Sequence, residues 1–81
     1  MPVTRLKVLR VQRGLKLIEA AQALGIHFTK LSQIENGRSW VPPALREKLA
    51  DFFHVGIGEI CDLETGWPIL YDRPKPAIVR R

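Results

Sequence analysis

The side chains between Phe28 and Gln33 combine apolar and hydrogen-bonding groups at helical spacing. Gln33 lies four residues beyond Thr29, so both side chains project from the same face of a helix. The glutamine amide can donate and accept a hydrogen bond at once, and the Thr29 and Ser32 hydroxyls can do either. Phe28 offers only an apolar ring. These groups suit recognition of another surface by contact.

The residue types that catalysis and metal binding use are few and scattered. His27 and His54 lack metal-ligand spacing to other candidates, and the single cysteine, Cys61, excludes an internal disulfide and a multi-cysteine zinc site. The chain has no glycine-rich phosphate loop and no nucleophile elbow. Cys61 is expected to be a small buried hydrophobe. We therefore expect no enzyme, no metal site and no cofactor.

Positive charge is concentrated at both ends of the chain, whose 81 residues carry a net charge of +5. Residues 1–16 hold five basic and no acidic side chains; residues 17–66 have a net charge of −3, and residues 67–81 one of +3. A chain with basic ends and a mildly acidic centre is typical of a protein that binds a polyanion through particular faces of its surface. Basic termini can also serve solubility alone, and charge does not separate the two interpretations.

Length and hydropathy fit one small folded domain without a membrane span. A hydrophobic content of 46% is ordinary for a globular protein, so disorder throughout is not expected. No apolar run approaches the roughly 20 residues of a spanning helix. The opening residues 1–3 are too short for a targeting signal. We expect a cytoplasmic protein.

Two short helices joined by a turn must position the residues between Phe28 and Gln33. Apolar residues fall at helical offsets in both segments: Ala20, Ala21 and Leu24 in the first, and Ile26, Leu31 and Ile34 in the second. Gly25 and Gly37 fall where the two helices must end, because glycine tolerates the left-handed conformation found there. This pattern predicts a helix-turn-helix unit, although a generic pair of packed helices would share it.

Further helices are predicted on either side of this unit. Thr4 could cap a first helix that ends at Gly14. The consecutive prolines at 42 and 43 predict a helix that begins near Pro43, and His54 takes the place of the glycine or asparagine that usually ends one. A short last helix is predicted over residues 59–63.

The segment between Gly14 and Gly37 resembles the phage-repressor/Cro-like helix-turn-helix family, also called the XRE family. The matching residues are Gly14-Leu15, Glu19-Ala20-Ala21, Leu24-Gly25-Ile26 and Leu31-Ser32-Gln33-Ile34-Glu35-Asn36-Gly37. The likeness runs from about Leu6 to Cys61. It implies an all-α, five-helix, lambda-repressor-like domain. It also implies a homodimeric transcriptional regulator, more often a repressor than an activator, that binds double-stranded DNA at a near-palindromic operator.

The resemblance also implies roles for individual residues, with the helix from His27 to Asn36 as the one that enters the major groove. The base-reading positions are Phe28, Thr29, Ser32 and Gln33. We expect DNA-phosphate contacts, implied by the resemblance for Arg10 and favoured by positive charge at the lysines and other arginines, at Arg10, Arg13, Lys16, Lys30, Asn36 and Arg38. Arg10 and Glu35 also occupy the positions of a structural ion pair. Two aromatic residues leave alternatives open: Phe28 could meet a thymine methyl or pack in the core, and Trp40 could lie near the DNA backbone or cover the core.

The start of the second helix departs from the family. Members usually begin this helix with Ser or Thr followed by Gln, whereas this chain has Lys16 and Leu17. Lysine is a poor helix cap and sits unfavourably at the positive end of the helix dipole. Leu17 and Ile18 add apolar surface that could grip a protein. The alternative function is therefore a protein-interaction module on the same fold, such as an antitoxin-like or phage-encoded regulatory factor.

The composition changes at Gly66, which separates a domain at residues 1–65 from a tail at 66–81. Three prolines in nine residues favour an extended tail over a helix. The apolar start of the tail must bury against its own domain or against a second subunit. The candidate residues for a dimer or partner contact are Trp67, Ile69, Leu70 and Tyr71.

Overall fold

A computed structural model describes residues 3–71, and five α-helices follow one another within them. They are α1 (Arg5–Gln12), α2 (Leu17–Leu24), α3 (Phe28–Glu35), α4 (Pro43–Phe53) and α5 (Ile57–Ile60). Between the helices lie turns and irregular loops, and residues 3–71 contain isolated β-bridges but no β-strand. The predicted all-α, five-helix fold is confirmed. Residues 72–81 of the predicted tail lie outside the described residues.

The helix starts follow from capping groups in the sequence. Thr4 Oγ1 accepts the backbone N–H of Lys7 at 3.2 Å, which confirms Thr4 as the cap of α1. At the start of α3, His27 Nδ1 accepts the N–H of Thr29 at 3.1 Å. α4 begins at Pro43, as predicted, because a proline at the first helical position lacks only an N–H that has no partner in the helix.

The first four helices end in one common motif, a residue with left-handed backbone. Gly14, Gly25 and Gly37 have φ angles of 67°, 73° and 72°, and His54 has a φ of 58°. At each end, the N–H of the following residue bonds to a carbonyl five residues earlier, at 2.8–3.2 Å. Glycine adopts this conformation without strain, whereas the Cβ of His54 opposes it.

The last helix differs from the prediction of a helix over residues 59–63. It starts earlier and stops at Ile60, because Cys61 is extended, with φ −129° and ψ 147°. Cys61 forms an antiparallel bridge with Pro68 in the C-terminal segment. Helical spacing could not indicate this pairing, since the partner lies outside the local pattern.

A single hydrophobic core joins the five helices. Its largest fully buried apolar side chains are Phe53, Leu6, Leu31, Ile34, Leu49, Ile60 and Val41. Cys61 is buried in the same cluster, as expected. Burial raises the pKa of the Cys61 thiol to about 11, so the thiol stays protonated at neutral pH.

The start of the tail lies between the N-terminus and the end of α5. The Arg5 N–H donates to the Ile69 carbonyl at 2.9 Å, and the Ile69 N–H donates to the Ile60 carbonyl at 3.0 Å. The Ile69 side chain is only 7% exposed. This part of the tail therefore completes its own domain. Within residues 3–71, none of the helices has the length and apolar character that crossing a membrane requires.

Candidate nucleic-acid interface

The exposed face of α3 is the centre of the candidate interface. α3 packs on α2 and α1, and its buried residues are Leu31, Ile34 and Glu35. Its three exposed side chains are those of Phe28, Thr29 and Gln33. Gln33 lies one turn after Thr29, so an aromatic ring, a hydroxyl and an amide project from the helix to solvent. The fourth predicted base-reading residue, Ser32, is half-buried.

An ion pair fixes the far end of α3 to α1. Arg10 Nε lies 2.6 Å from Glu35 Oε2, and Arg10 Nη2 donates to Glu35 Oε1 at 3.0 Å. Arg10 Nη1 also donates to the Leu15 carbonyl at 2.7 Å, so one guanidinium joins α1, the α1–α2 turn and α3. The two side chains are 11% and 3% exposed. This is the pair that the resemblance implies, and these bonds leave Arg10 little surface to offer a phosphate.

Thr4 makes a second attachment to α3, which the sequence did not indicate. Besides capping α1, its Oγ1 donates to the Glu35 carbonyl at 2.8 Å, and the residue is fully buried. The side chains of Thr4 and Leu70 both lie against Gly37, just beyond the end of α3. The sequence held no signal for this arrangement, because Thr4 and Glu35 are 31 residues apart. The C-terminal end of α3 is therefore held by the N-terminus, α1 and the tail.

The start of α2 is stabilised although the side chain of its cap residue, Lys16, makes no hydrogen bond to the helix. Lysine has no hydrogen-bond acceptor, so Lys16 cannot bond to the helix N–H groups as Ser or Thr would. Instead the Glu19 carboxylate accepts the Lys16 N–H at 2.9 Å, which is half of a capping box. The Lys16 side chain is exposed, Leu17 packs partly on the core, and Ile18 is exposed.

Two of the predicted phosphate-contacting cations are Lys30, in the first turn of α3, and Arg38, in the loop after α3. Lys30 Nζ donates to Ser39 Oγ at 2.9 Å, which ties α3 to the loop that follows it. An ammonium has three donors, so this bond leaves Lys30 two further protons. Arg38 is exposed, and its backbone N–H donates to the Gln33 carbonyl at 2.8 Å. The loop that carries Arg38 is thus fixed to the helix that carries Gln33.

The two other predicted phosphate-contacting residues have different surroundings. Asn36 Nδ2 lies 3.4 Å from Ser32 Oγ, and both side chains are half-buried. Arg13 is exposed, and its guanidinium carbon lies 5.4 Å from the centre of the Phe53 ring on α4. Arg13 therefore lies against α4.

Phe28 and Trp40 are both partly exposed. Phe28 is 45% exposed, so the structure excludes a place for it in the core. Its ring stacks on His27, with ring centres 4.6 Å apart and planes 26° apart. Trp40 Nε1 donates to the Thr65 carbonyl at 2.9 Å, and the Arg46 guanidinium carbon lies 5.5 Å from the tryptophan ring. Trp40 is thus bonded to the loop before Gly66, lies against Arg46 and is 44% exposed to solvent.

The four tail residues divide between the domain and the surface. Ile69 is buried and Leu70 is half-buried, whereas Trp67 and Tyr71 are exposed. Of these four, only Trp67 and Tyr71 therefore offer broad apolar surface for a partner. Among the described residues, no three histidine, cysteine, aspartate or glutamate side chains are grouped as metal ligands.

A family model described as a helix-turn-helix domain matches residues 3–61, a range that contains all five helices. The match covers well over half of the chain, and the protein belongs to this helix-turn-helix family. That finding is consistent with the resemblance to phage repressors and Cro. No curated protein and no solved structure matches the chain significantly. The helix-turn-helix is a DNA-binding motif in which the second helix lies in the major groove, and α3 is the second helix of the motif in this chain.

Proposed function

We propose that the protein is a sequence-specific transcriptional regulator that binds duplex DNA as a homodimer at a near-palindromic operator. In the dimer, two copies of α3 would enter successive major grooves about 34 Å apart. The observation that carries the proposal is the face of Phe28, Thr29 and Gln33, exposed on a helix whose end is fixed by the Arg10–Glu35 pair. We propose repression because it needs only occupancy of the operator, whereas activation needs a further contact.

Gln33 is the residue best suited to read a base. Its exposed side-chain amide can donate from its nitrogen to N7 of adenine while its oxygen accepts from N6, which forms a bidentate pair with that base edge. Thr29, on the same face, can bond to several bases. Gln33→Ala should cost about 1–3 kcal/mol on the preferred site and much less on random DNA.

Arg38 provides the matched contrast to Gln33. It is exposed and cationic, but it lies in the loop after α3, so we expect it to contact a phosphate and not a base. Arg38→Ala should weaken binding to all sequences to a similar extent. It should also reduce the log-log salt dependence by about 0.9 for each phosphate that the variant no longer neutralises. Fluorescence anisotropy at several salt concentrations measures both variants. Equal losses for Gln33→Ala on specific and random DNA would show that α3 does not read the sequence.

For the dimer we propose the exposed tail residues Trp67 and Tyr71 as contacts. Deleting the whole tail is a poor test, because Ile69 is buried in its own domain. Trp67→Ser and Tyr71→Ser change only exposed side chains and should preserve the fold. Sedimentation should show a weaker dimer for the double variant, and its helical circular dichroism spectrum should be unchanged. A dimer as strong as that of the wild type would contradict a tail interface.

The second candidate, a protein-interaction module, is favoured by the start of α2. Lys16 and Leu17 stand where the family usually has Ser or Thr followed by Gln, and the next residue, Ile18, is exposed, so this end of the helix offers apolar surface. If DNA is the partner, Ile18→Ser should leave the affinity for the selected site within about twofold, since the Ile18 side chain can form no hydrogen bond to DNA. A protein module predicts instead that no preferred DNA site exists.

A further inference from the structure

We propose that the stacked rings of His27 and Phe28 recognise the C5-methyl group of a pyrimidine in the major groove. The ligand group is the methyl that thymine and 5-methylcytosine share, so DNA binding would depend on it at one position in each half-site. This inference rests on the proposed function and specifies what one part of α3 reads.

The geometry gives Phe28 a fixed and accessible ring. Phe28 is the first residue of α3 and is 45% exposed, although its side chain is wholly apolar. The His27 ring lies against it at 4.6 Å. His27 is itself held in place, because its Nδ1 accepts the Thr29 N–H at 3.1 Å. The helix cap thus also orients the aromatic pair.

The chemistry of the major groove limits what such a ring can meet. Each base pair displays hydrogen-bond donors and acceptors there, and the C5-methyl of thymine is the apolar feature. Thr29 and Gln33 can satisfy donors and acceptors, but Phe28 would cover them without a partner, which is unfavourable. A ring at this position therefore favours a methyl group. Cytosine methylated at C5 carries the same group.

The size of the effect follows from burial of one methyl group. The free energy of burying a single aliphatic carbon corresponds to about a fourfold change in affinity. In a symmetric dimer two half-sites contribute, so the combined effect is about fifteenfold. Changes of this size are well resolved in a titration.

The experiment uses the DNA site obtained by selection from a random pool. Each pyrimidine of the half-site is varied within matched pairs, thymine against uracil and cytosine against 5-methylcytosine, because the members of each pair differ only in the methyl. Fluorescence anisotropy should show one position at which wild type prefers the methylated member of both pairs about fourfold per half-site. Phe28→Ala should abolish both preferences. Gln33→Ala, the matched control, should weaken binding to all four duplexes and leave the two ratios unchanged.

A second variant tests the contribution of His27. Its replacement His27→Ser keeps a hydrogen-bond acceptor for the helix N–H groups but removes the stacked ring. We expect normal helical content and a reduced methyl preference. Equal affinity within both pairs at every position, or a preference that persists in Phe28→Ala, would overturn the inference. Absence of any preferred duplex would instead refute the proposed function, so the two failures are distinguishable.

Discussion

Removing the cation from the buried Arg10–Glu35 pair should be among the most destabilising single changes in the protein. Arg10→Met replaces the guanidinium with an apolar side chain and leaves the Glu35 carboxylate, only 3% exposed, without its two donors. Breaking one side of a buried pair costs about 3–5 kcal/mol. A domain of this size has a total stability of only about 4–12 kcal/mol. The variant should therefore lose a large share of its stability.

Urea unfolding followed by circular dichroism measures this loss, and a double variant identifies its cause. Arg10→Met combined with Glu35→Leu removes both charges and fills the space with apolar atoms. Such replacements are often neutral or stabilising, so the double variant should be within about 1 kcal/mol of wild type. Arg38→Met, at an exposed arginine, is the control and should change stability by less than about 0.5 kcal/mol.

Two results would refute this reasoning. A loss of less than about 1 kcal/mol for Arg10→Met would mean that the pair behaves like an exposed surface salt bridge. A double variant whose loss equals the sum of the losses for Arg10→Met and Glu35→Leu measured singly would mean that the two side chains do not act as a pair.

Three further predictions concern single positions. Gly66→Ala should cost about 2 kcal/mol or more in urea unfolding, because φ is 80° and a Cβ would lie 2.5 Å from both Trp40 Nε1 and Arg46 Nη2; an unchanged midpoint would contradict this. His54→Gly should raise the free energy of unfolding by about 0.5–1 kcal/mol by relieving a left-handed non-glycine backbone, whereas a lower Tm would be a contrary result. The buried Cys61 thiol has a pKa raised to about 11, so at pH 8 it should react with a thiol reagent about 100-fold more slowly in the native protein than in the urea-unfolded protein. Stability should then fall from about pH 9 to pH 11, because the unfolded thiol loses its proton first, and Cys61→Ala should remove this component.

The parts of the fold that the sequence predicted are those governed by local chemistry. Glycine at positions 25 and 37 meets a backbone requirement that few other residues satisfy, and Thr4 carries its own capping oxygen. Helix periodicity then located the buried faces of α2 and α3. These features depend on neighbours within about five residues, so the sequence alone displays them.

The parts that the sequence missed depend on contacts between distant segments. The last helix ends at Ile60 because Cys61 pairs with Pro68, and no local pattern encodes that pairing. The bond from Thr4 to the Glu35 carbonyl was missed for the same reason. Phe28 was ambiguous because a side chain in the first turn of a helix can point toward the core or away from it. Only the packed structure shows that it is exposed.

Selection of bound duplexes from a random DNA pool tests the central proposal most directly. We expect an enriched near-palindromic motif whose half-sites lie about 10 base pairs apart, since a dimer places two recognition helices one DNA turn apart. We also expect that Gln33→Ala enriches this motif poorly while retaining salt-dependent binding to bulk DNA. A pool that remains random after repeated rounds, with wild-type protein that is folded, would contradict sequence-specific DNA binding and favour the protein-interaction module.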